Sequence, residues 1–212
     1  MGKYERGVLG SFRGRVGTVV GTTWKGIEVM KIKNRKSTVK PTQKQIEQQA
    51  RFAFIIRFVT PFSKLLELTF NSKAAQMTGI NLAFRYNYKN ALTGIYPAFG
   101  LDYTKVLVSK GDLLNANNPV AAAGTGGLVT FNWTDNSGLA QANATDRAIM
   151  VVYCSELNRP VYITNGAVRS AGTDSINAGI FAGRTVETWL AFISEGETEV
   201  ASSVYTGQVV VS

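Results

Sequence analysis

Residues 148–155 read Ala-Ile-Met-Val-Val-Tyr-Cys-Ser, a short run of apolar and β-branched residues that is typical of a strand. Six further runs of this kind follow or precede it in the C-terminal half. They are Lys105–Ser109, Leu128–Trp133, Pro160–Thr164, Ser175–Ile180, Thr185–Ser194 and Val204–Val211. Turn-forming clusters separate several of them. Seven short strands within roughly a hundred residues predict an antiparallel β-sandwich.

The reactive side chains of the sequence argue against an enzyme. The chain has no histidine, so it lacks the usual general base and the commonest transition-metal ligand. Its only cysteine, Cys154, has the same parity in its strand as Met150 and Val152, which predicts a buried and inert thiol. A single cysteine also excludes an internal disulfide or a zinc cluster.

Two further patterns that could suggest a phosphate-binding or catalytic site have simpler explanations. The stretch Gly17-Thr-Val-Val-Gly21 lacks the Lys-Ser or Lys-Thr that completes a phosphate-binding loop. Four carboxylates could form an acid–base pair, but each lies beside turn residues, where it can bond the nearby backbone. They are Asp135, Asp146, Glu156 and Asp174. We expect no catalytic residue, no metal site and no cofactor.

Helices are predicted upstream of the strands. Thr42 followed by Gln45 has the form of a capping box, so a helix should begin there. Thr60-Pro61 fits an N-cap followed by proline at the first helical position of a second helix. A third helix is predicted over 80–92, and Thr93–Tyr103 has the composition of a linker.

Positive charge is concentrated at the N-terminal end. Residues 1–60 carry 13 Lys and Arg against 3 Glu, a net of +10, whereas residues 61–212 carry 10 against 11, a net of −1. Val16–Trp24 and Ile27–Lys33 are predicted to be strands that turn near Lys25-Gly26. In the second strand Met30 and Ile32 alternate with Lys31 and Lys33, so one face should be apolar and the other cationic.

The basic residues of this segment are the candidate binding site for an anionic partner. They are Arg13, Arg15, Lys25, Lys31, Lys33, Arg35, Lys36 and Lys40. Nearby aromatic residues would allow phosphate neutralisation together with base stacking on a nucleic acid. The same charges would also suit a subunit interface with an acidic partner, or simply protect a sheet edge from unwanted pairing.

No membrane span or secretion signal is expected. The N-terminal residues are interrupted by charges and contain no continuous apolar region. The longest apolar stretch, Phe52–Phe62, is short and carries Arg57, so it cannot cross a bilayer. We therefore expect synthesis in the cytoplasm without a signal peptide.

The C-terminal part, from about Tyr103 to Ser212, resembles fibronectin type III and related immunoglobulin-like domains. Four segments carry the likeness. They are Val129-Thr-Phe-Asn-Trp133, Ile149-Met-Val-Val-Tyr153, Trp189-Leu-Ala-Phe-Ile-Ser194 with Glu195-Gly196, and Ser202-Ser203-Val204. This resemblance implies a fold and no function.

The whole chain also resembles a widespread uncharacterised bacterial family to which no known activity attaches. The shared pattern consists of Gly7-Val-Leu-Gly10-Ser-Phe-Arg-Gly14-Arg-Val-Gly17-Thr-Val-Val-Gly21, Trp24-Lys25-Gly26, Pro41-Thr42-x-x-Gln45, Arg51-Phe52 and Val204-Tyr205-Thr206-Gly207. The central pattern is in addition similar to segments of phage-related structural proteins. It consists of Pro41-Thr42, Gln45, Arg51-Phe52, Asn81-x-x-Phe84 and Asn90. That likeness implies a virion or particle component.

The expected fold is α+β and rich in strand. Residues 1–102 should form a basic β-hairpin with an α-helical assembly region, and residues 103–212 an immunoglobulin- or fibronectin-like antiparallel β-sandwich. The first functional hypothesis is a non-enzymatic structural or assembly protein, a homo-oligomer or part of a larger protein assembly, that docks through its basic N-terminal part. The alternative is a nucleic-acid-binding protein that uses the same segment.

Overall fold

The computed structural model describes residues 3–4, 12–24, 26–33, 39–70 and 77–212. The chain divides into two compact units, residues 1–43 and 44–212. The boundary predicted after residue 102 differs from this division, because the helices pack against the same sheet that forms the sandwich. Independent folding of residues 103–212 stays a prediction.

The N-terminal unit contains a four-stranded antiparallel sheet in the order β1-β2-β3-β4. Its strands are β1 (Lys3–Tyr4), β2 (Phe12–Val16), β3 (Val19–Trp24) and β4 (Ile27–Ile32). The predicted strand over Val16–Trp24 is interrupted at its start, because Gly17 adopts a φ of +58° in the turn between β2 and β3. Gly26, with a φ of +81°, precedes β4 and confirms the turn expected near this position.

Three α-helices form the first part of the second unit. Helix α1 (Gln43–Val59) starts directly after Thr42, as predicted. A 3₁₀ turn (Thr60–Phe62) leads into α2 (Ser63–Thr69), and α3 (Gly79–Asn90) is capped by Thr78. The N-cap role predicted for Thr60 is wrong, because its hydroxyl donates to the Ile56 carbonyl at 2.6 Å and so bonds back into α1.

The segment predicted to be a linker, Thr93–Tyr103, is instead mostly a β-hairpin. Strands β5 (Leu92–Ile95) and β6 (Ala98–Leu101) pair antiparallel. The Asp102 amide also donates to the Ala91 carbonyl at 2.9 Å, which ties the hairpin to the end of α3. Tyr96-Pro97 forms the turn of this hairpin, and Gly94 and Gly100 lie within its paired strands.

The remaining chain forms the predicted β-sandwich, with seven strands in two antiparallel sheets. These strands are β7 (Asn117–Ala123), β8 (Leu128–Thr134), β9 (Arg147–Cys154), β10 (Arg159–Ile163), β11 (Thr173–Asn177), β12 (Thr185–Ile193) and β13 (Val204–Val210). One sheet has the order β10-β9-β12-β13 and the other β11-β8-β7. This arrangement of four and three strands confirms the immunoglobulin- or fibronectin-like architecture.

The larger sheet is buried on both faces. Met150 and Cys154 of β9 and Leu190 of β12 point into the core between the two sheets. The alternate residues Tyr153 and Trp189 pack instead with α1, α2 and α3. Strand β9 is consequently apolar along almost its whole length, and β12 is apolar from Trp189 onward. The buried thiol predicted for Cys154 is confirmed.

One predicted strand is absent and another was missed. Residues 106–109 are extended without joining a sheet. The side-chain amide of Asn87 instead pairs with the backbone of Leu107, through two hydrogen bonds of 3.0 Å. The seventh strand of the sandwich is β7, which the sequence did not indicate because it contains Pro119 and three alanines.

Candidate interaction surface

The sheet of the N-terminal unit separates two kinds of side chain. Residues that oppose one another on neighbouring strands point to the same face. Arg15, Val20 and Lys31 form one such row across β2, β3 and β4. We call the face that carries this row the cationic face. Trp24, four residues after Val20 on the same strand, also lies on it.

The opposite side of this sheet is the apolar face. Its defining row consists of Val16, Val19 and Ile32. Met30, two residues before Ile32, belongs to the same face. The alternation predicted for β4 holds only near the end of the strand. Ile27 and Val29 share the face of Lys31, and Glu28 shares the face of Met30 and Ile32.

Strand β4 is exposed along its entire length. Met30 is 68% exposed and Ile32 is 74% exposed, and on the cationic face Trp24 is 53% exposed. Large apolar side chains grouped in this way mark interaction surfaces more often than they mark ordinary protein surface. This clustering is the feature that motif analysis of the charged residues alone did not reveal.

The structure brings only part of the predicted basic site together. Arg15 and Lys31 lie in one row, and Lys33 follows β4 directly, where its amide donates to the Thr18 carbonyl at 2.8 Å. Lys40 is exposed before α1, outside the sheet. Three predicted site residues lie outside the described residues. They are Lys25, Arg35 and Lys36.

Arg13 borders a shallow cleft with a volume of about 330 Å³. The other lining residues are Gly14, Gly21, Thr22 and Thr23. Thr22 and Thr23 are consecutive in β3 and therefore point to opposite faces of the sheet, so Arg13 is the charged residue at the border of this cleft.

The charge of the two units differs sharply. Residues 1–43 carry ten Lys and Arg against two Glu, a net of +8, and residues 44–212 carry thirteen against twelve, a net of +1. Among the described residues, none of the three ion pairs involves a cation of the N-terminal unit. The positive charges of the sheet are thus available to a partner.

The four carboxylates considered for acid–base chemistry are dispersed and have structural contacts. Asp146 forms an ion pair with Arg169, and Asp135 accepts the Ser137 amide at 2.9 Å, as expected for a turn. Asp174 accepts the Ala167 amide at 2.6 Å, and Glu156 lies 3.6 Å from Arg184. Each of the four side chains therefore has a structural contact of its own, although the Oδ1 atom of Asp146 is buried without a hydrogen-bond partner in the described structure.

A buried carboxylate that the sequence did not single out lies on the helix-covered face of β12. Glu187 is 4% exposed and accepts hydrogen bonds from Tyr205 at 2.5 Å and from Gln208 at 2.8 Å. Burial, followed by the hydrogen bond to Glu187, raises the pKa of Tyr205 far above its ordinary value. Both donors lie on β13, so the Glu187 carboxylate links β12 to β13 through side-chain hydrogen bonds.

The part of the chain that the structure describes lacks two other kinds of feature. No group of three or more His, Cys, Asp or Glu side chains in these residues is arranged to hold a metal ion. Within the same residues, no helix is both long and apolar enough to cross a membrane.

Comparisons with known proteins place these features in a wider context. A family model described as "Family of unknown function (DUF6266)" matches residues 11–207. A search of the curated proteins found no match. Among solved structures, the chain is similar to the fn3 domain of the human collagen alpha-1(XX) chain. That similarity has 13% identity and a TM-score of 0.35, and it covers 49% of this chain and 90% of that one.

Proposed function

The chain belongs to the family of unknown function DUF6266, and on this premise we propose that it is a non-enzymatic assembly protein. Copies of the chain associate through the sheet of the N-terminal unit, and the sandwich unit forms the body of each subunit. The likeness of the central segment to phage-related structural proteins supports a particle or virion as the setting.

The observation that carries the proposal is the exposure of β4. Its Met30 and Ile32 are 68% and 74% exposed, although burying a side chain of this kind stabilises a folded protein or a complex by about 1.5–3 kcal/mol. Among the described strands of this sheet β4 is the last, so its outer edge is a position at which another chain could pair. A subunit contact that covers β4 would satisfy both features.

A point substitution with a matched control tests this proposal. Ile32→Asp places a charge on β4, whereas Ile95→Asp makes the same change at an 81% exposed isoleucine of the hairpin β5–β6. Light scattering over a range of concentrations should show wild-type oligomers. Ile32→Asp should raise the apparent dissociation constant about tenfold or more, and Ile95→Asp should change it less than about twofold.

Two results would overturn self-assembly through β4. The first is a wild-type chain that remains monomeric at every concentration and salt level. The second is an equal effect of Ile32→Asp and Ile95→Asp on the measured mass, provided that circular dichroism shows both variants to be folded.

Nucleic-acid binding is the second candidate, because Trp24 shares the cationic face with Arg15 and Lys31. An exposed aromatic ring beside cations can stack a base while the cations neutralise phosphates. This function predicts binding to single-stranded DNA or RNA that weakens steeply with salt and is lost in Arg15→Gln/Lys31→Gln. Absorbance at 260 and 280 nm of the purified protein, with fluorescence anisotropy of a labelled oligonucleotide, distinguishes it from assembly.

A further inference from the structure

An exposed turn of the sandwich unit carries an unusual concentration of negative charge. Between β12 and β13, residues 194–199 read Ser-Glu-Gly-Glu-Thr-Glu, and we call them the acidic turn. Glu195, Glu197 and Glu199 are all exposed. Among the residues described by the structure, none of these three carboxylates takes part in an ion pair.

The backbone of the acidic turn is fixed by Ser194. The Ser194 hydroxyl accepts hydrogen bonds from the Thr198 amide at 3.1 Å and the Glu199 amide at 3.0 Å. The Ser194 amide donates to the Glu199 carbonyl at 2.9 Å, and the Glu197 amide donates to the Ser194 carbonyl at 2.8 Å. The carboxylates therefore project from an ordered loop, so binding a partner requires little ordering of the backbone.

A bound metal ion does not account for these carboxylates. Within the described chain, they do not converge into a group that could hold a cation. Three separated and exposed negative charges suit a surface with several separated positive charges better than they suit one ion. The cationic face of the N-terminal unit is such a surface, and residues 1–43 carry a net charge of +8.

We infer that the acidic turn of one copy binds the cationic face of the N-terminal unit of a second copy. This inference rests on the proposed assembly function and adds a contact on the face of the sheet opposite to Met30 and Ile32. Arg15 and Lys31 lie in one cross-strand row, and β2 and β4, as next-nearest strands, lie about 10 Å apart. Cations with this spacing can face several carboxylates of one exposed turn at the same time.

Electrostatic repulsion disfavours a symmetric contact between two cationic faces. Such a contact would oppose Arg15 and Lys31 to their own copies, which is electrostatically unfavourable. Joining the acidic turn to the cationic face is a head-to-tail contact between two different surfaces. Repetition of a head-to-tail contact produces a closed ring or an open filament.

Charge reversal with complementary rescue tests the inference. The variant Glu195→Lys/Glu197→Lys reverses the turn, and Arg15→Glu/Lys31→Glu reverses the cationic face. Each should weaken assembly about tenfold or more in light scattering at about 20 mM salt, where surface charges are weakly screened. An equimolar mixture of the two variants should assemble again. A chain that carries all four substitutions should also assemble, and its net charge equals the wild-type value of +9.

The matched control is Glu67→Lys/Glu156→Lys, which makes the same charge change at two exposed carboxylates outside the turn. It should leave the dissociation constant within about twofold of wild type. If the reversed turn assembles as well as this control while Arg15→Glu/Lys31→Glu does not, the inference fails and the proposed function survives with another partner surface. A monomeric wild-type protein overturns both. If both reversals abolish assembly and neither mixing nor the combined variant restores it, the inference fails while the proposed function survives.

Discussion

The guanidinium of Arg169 donates to the Oδ2 atom of Asp146 through both Nε, at 3.1 Å, and Nη2, at 3.0 Å, with both side chains buried. The same guanidinium bonds Asn136 and the Leu114 carbonyl at 2.8 Å, and its Cζ lies 4.1 Å from the centre of the Phe192 ring. One side chain therefore joins three loops at the end of the sandwich core. A buried pair of this kind is costly to disrupt from one side, because the remaining charge loses its partner.

Replacing Arg169 with Met should therefore lower the free energy of unfolding by about 3–5 kcal/mol. Arg184→Met is the matched control, because Arg184 is exposed and lies 3.6 Å from an exposed Glu156. Arg184→Met should lower the free energy of unfolding by less than about 1 kcal/mol. Urea unfolding followed by tryptophan fluorescence measures both, and equal effects would contradict the structural role of the buried pair.

The two buried tryptophans should respond differently to loss of their indole N–H. Trp133 Nε1 donates to the Arg169 carbonyl at 2.7 Å, whereas Trp189 Nε1 has no hydrogen-bond partner within the described structure. Substitution by Phe removes similar volume at both positions but removes a hydrogen bond only at Trp133. Trp133→Phe should therefore be the more destabilising by about 1 kcal/mol in chemical unfolding. The reverse order would indicate that Trp189 has an additional partner.

The sequence predicted most of the sandwich because its strands are short runs of β-branched and aromatic residues. It did not predict β7, whose alanines and Pro119 have low strand propensity, or the hairpin β5–β6, whose turn residues suggested a linker. The boundary between units was also not predictable from local pattern. Strand β9 is apolar on both faces, but its sequence does not show which elements cover the second face, and in the structure these are the helices.

Part of the interaction surface could likewise be predicted. The alternation around Lys31 indicated the two faces of β4, because side-chain direction in a strand has a period of two. The cross-strand row that joins Lys31 to Arg15 depends on register, which requires the structure. The acidic turn lies between two predicted strands, but its relevance depends on exposure and on the absence of ion pairs among the described residues, which the structure supplies.

The phenol of Tyr205 should make stability sensitive to alkaline pH. Its pKa is raised by burial and by the bond to Glu187, so the folded state retains a proton that the unfolded state releases above its ordinary pKa of about 10. The stabilisation is fully present below about pH 10 and is lost as pH rises toward the folded pKa. Tyr205→Phe removes this titration.

The variant should consequently show a shallower fall in the free energy of unfolding above about pH 10 than wild type. At pH 7 it should be less stable by about 1–2 kcal/mol, because Glu187 loses a hydrogen-bond donor while remaining buried. Urea unfolding at intervals from neutral to alkaline pH provides both numbers. An unchanged alkaline slope would show that Tyr205 does not contribute to this loss.

A glycine in the N-terminal sheet provides a test of whether its geometry is needed for assembly. A Cβ atom at Gly21 would collide with the Phe12 carbonyl oxygen of β2, so Gly21→Ala must displace one strand from the other. Gly196→Ala, in the acidic turn, would place its Cβ 3.9 Å from Thr198 Cγ2, an ordinary contact. We expect the first variant to weaken assembly about tenfold while the body of the subunit stays folded, and the second to behave as wild type.

Light scattering measures assembly, and tryptophan fluorescence of Trp133 and Trp189 in the other unit reports its folding. Wild-type assembly by Gly21→Ala would show that the alignment of β2 with β3 is not part of the contact.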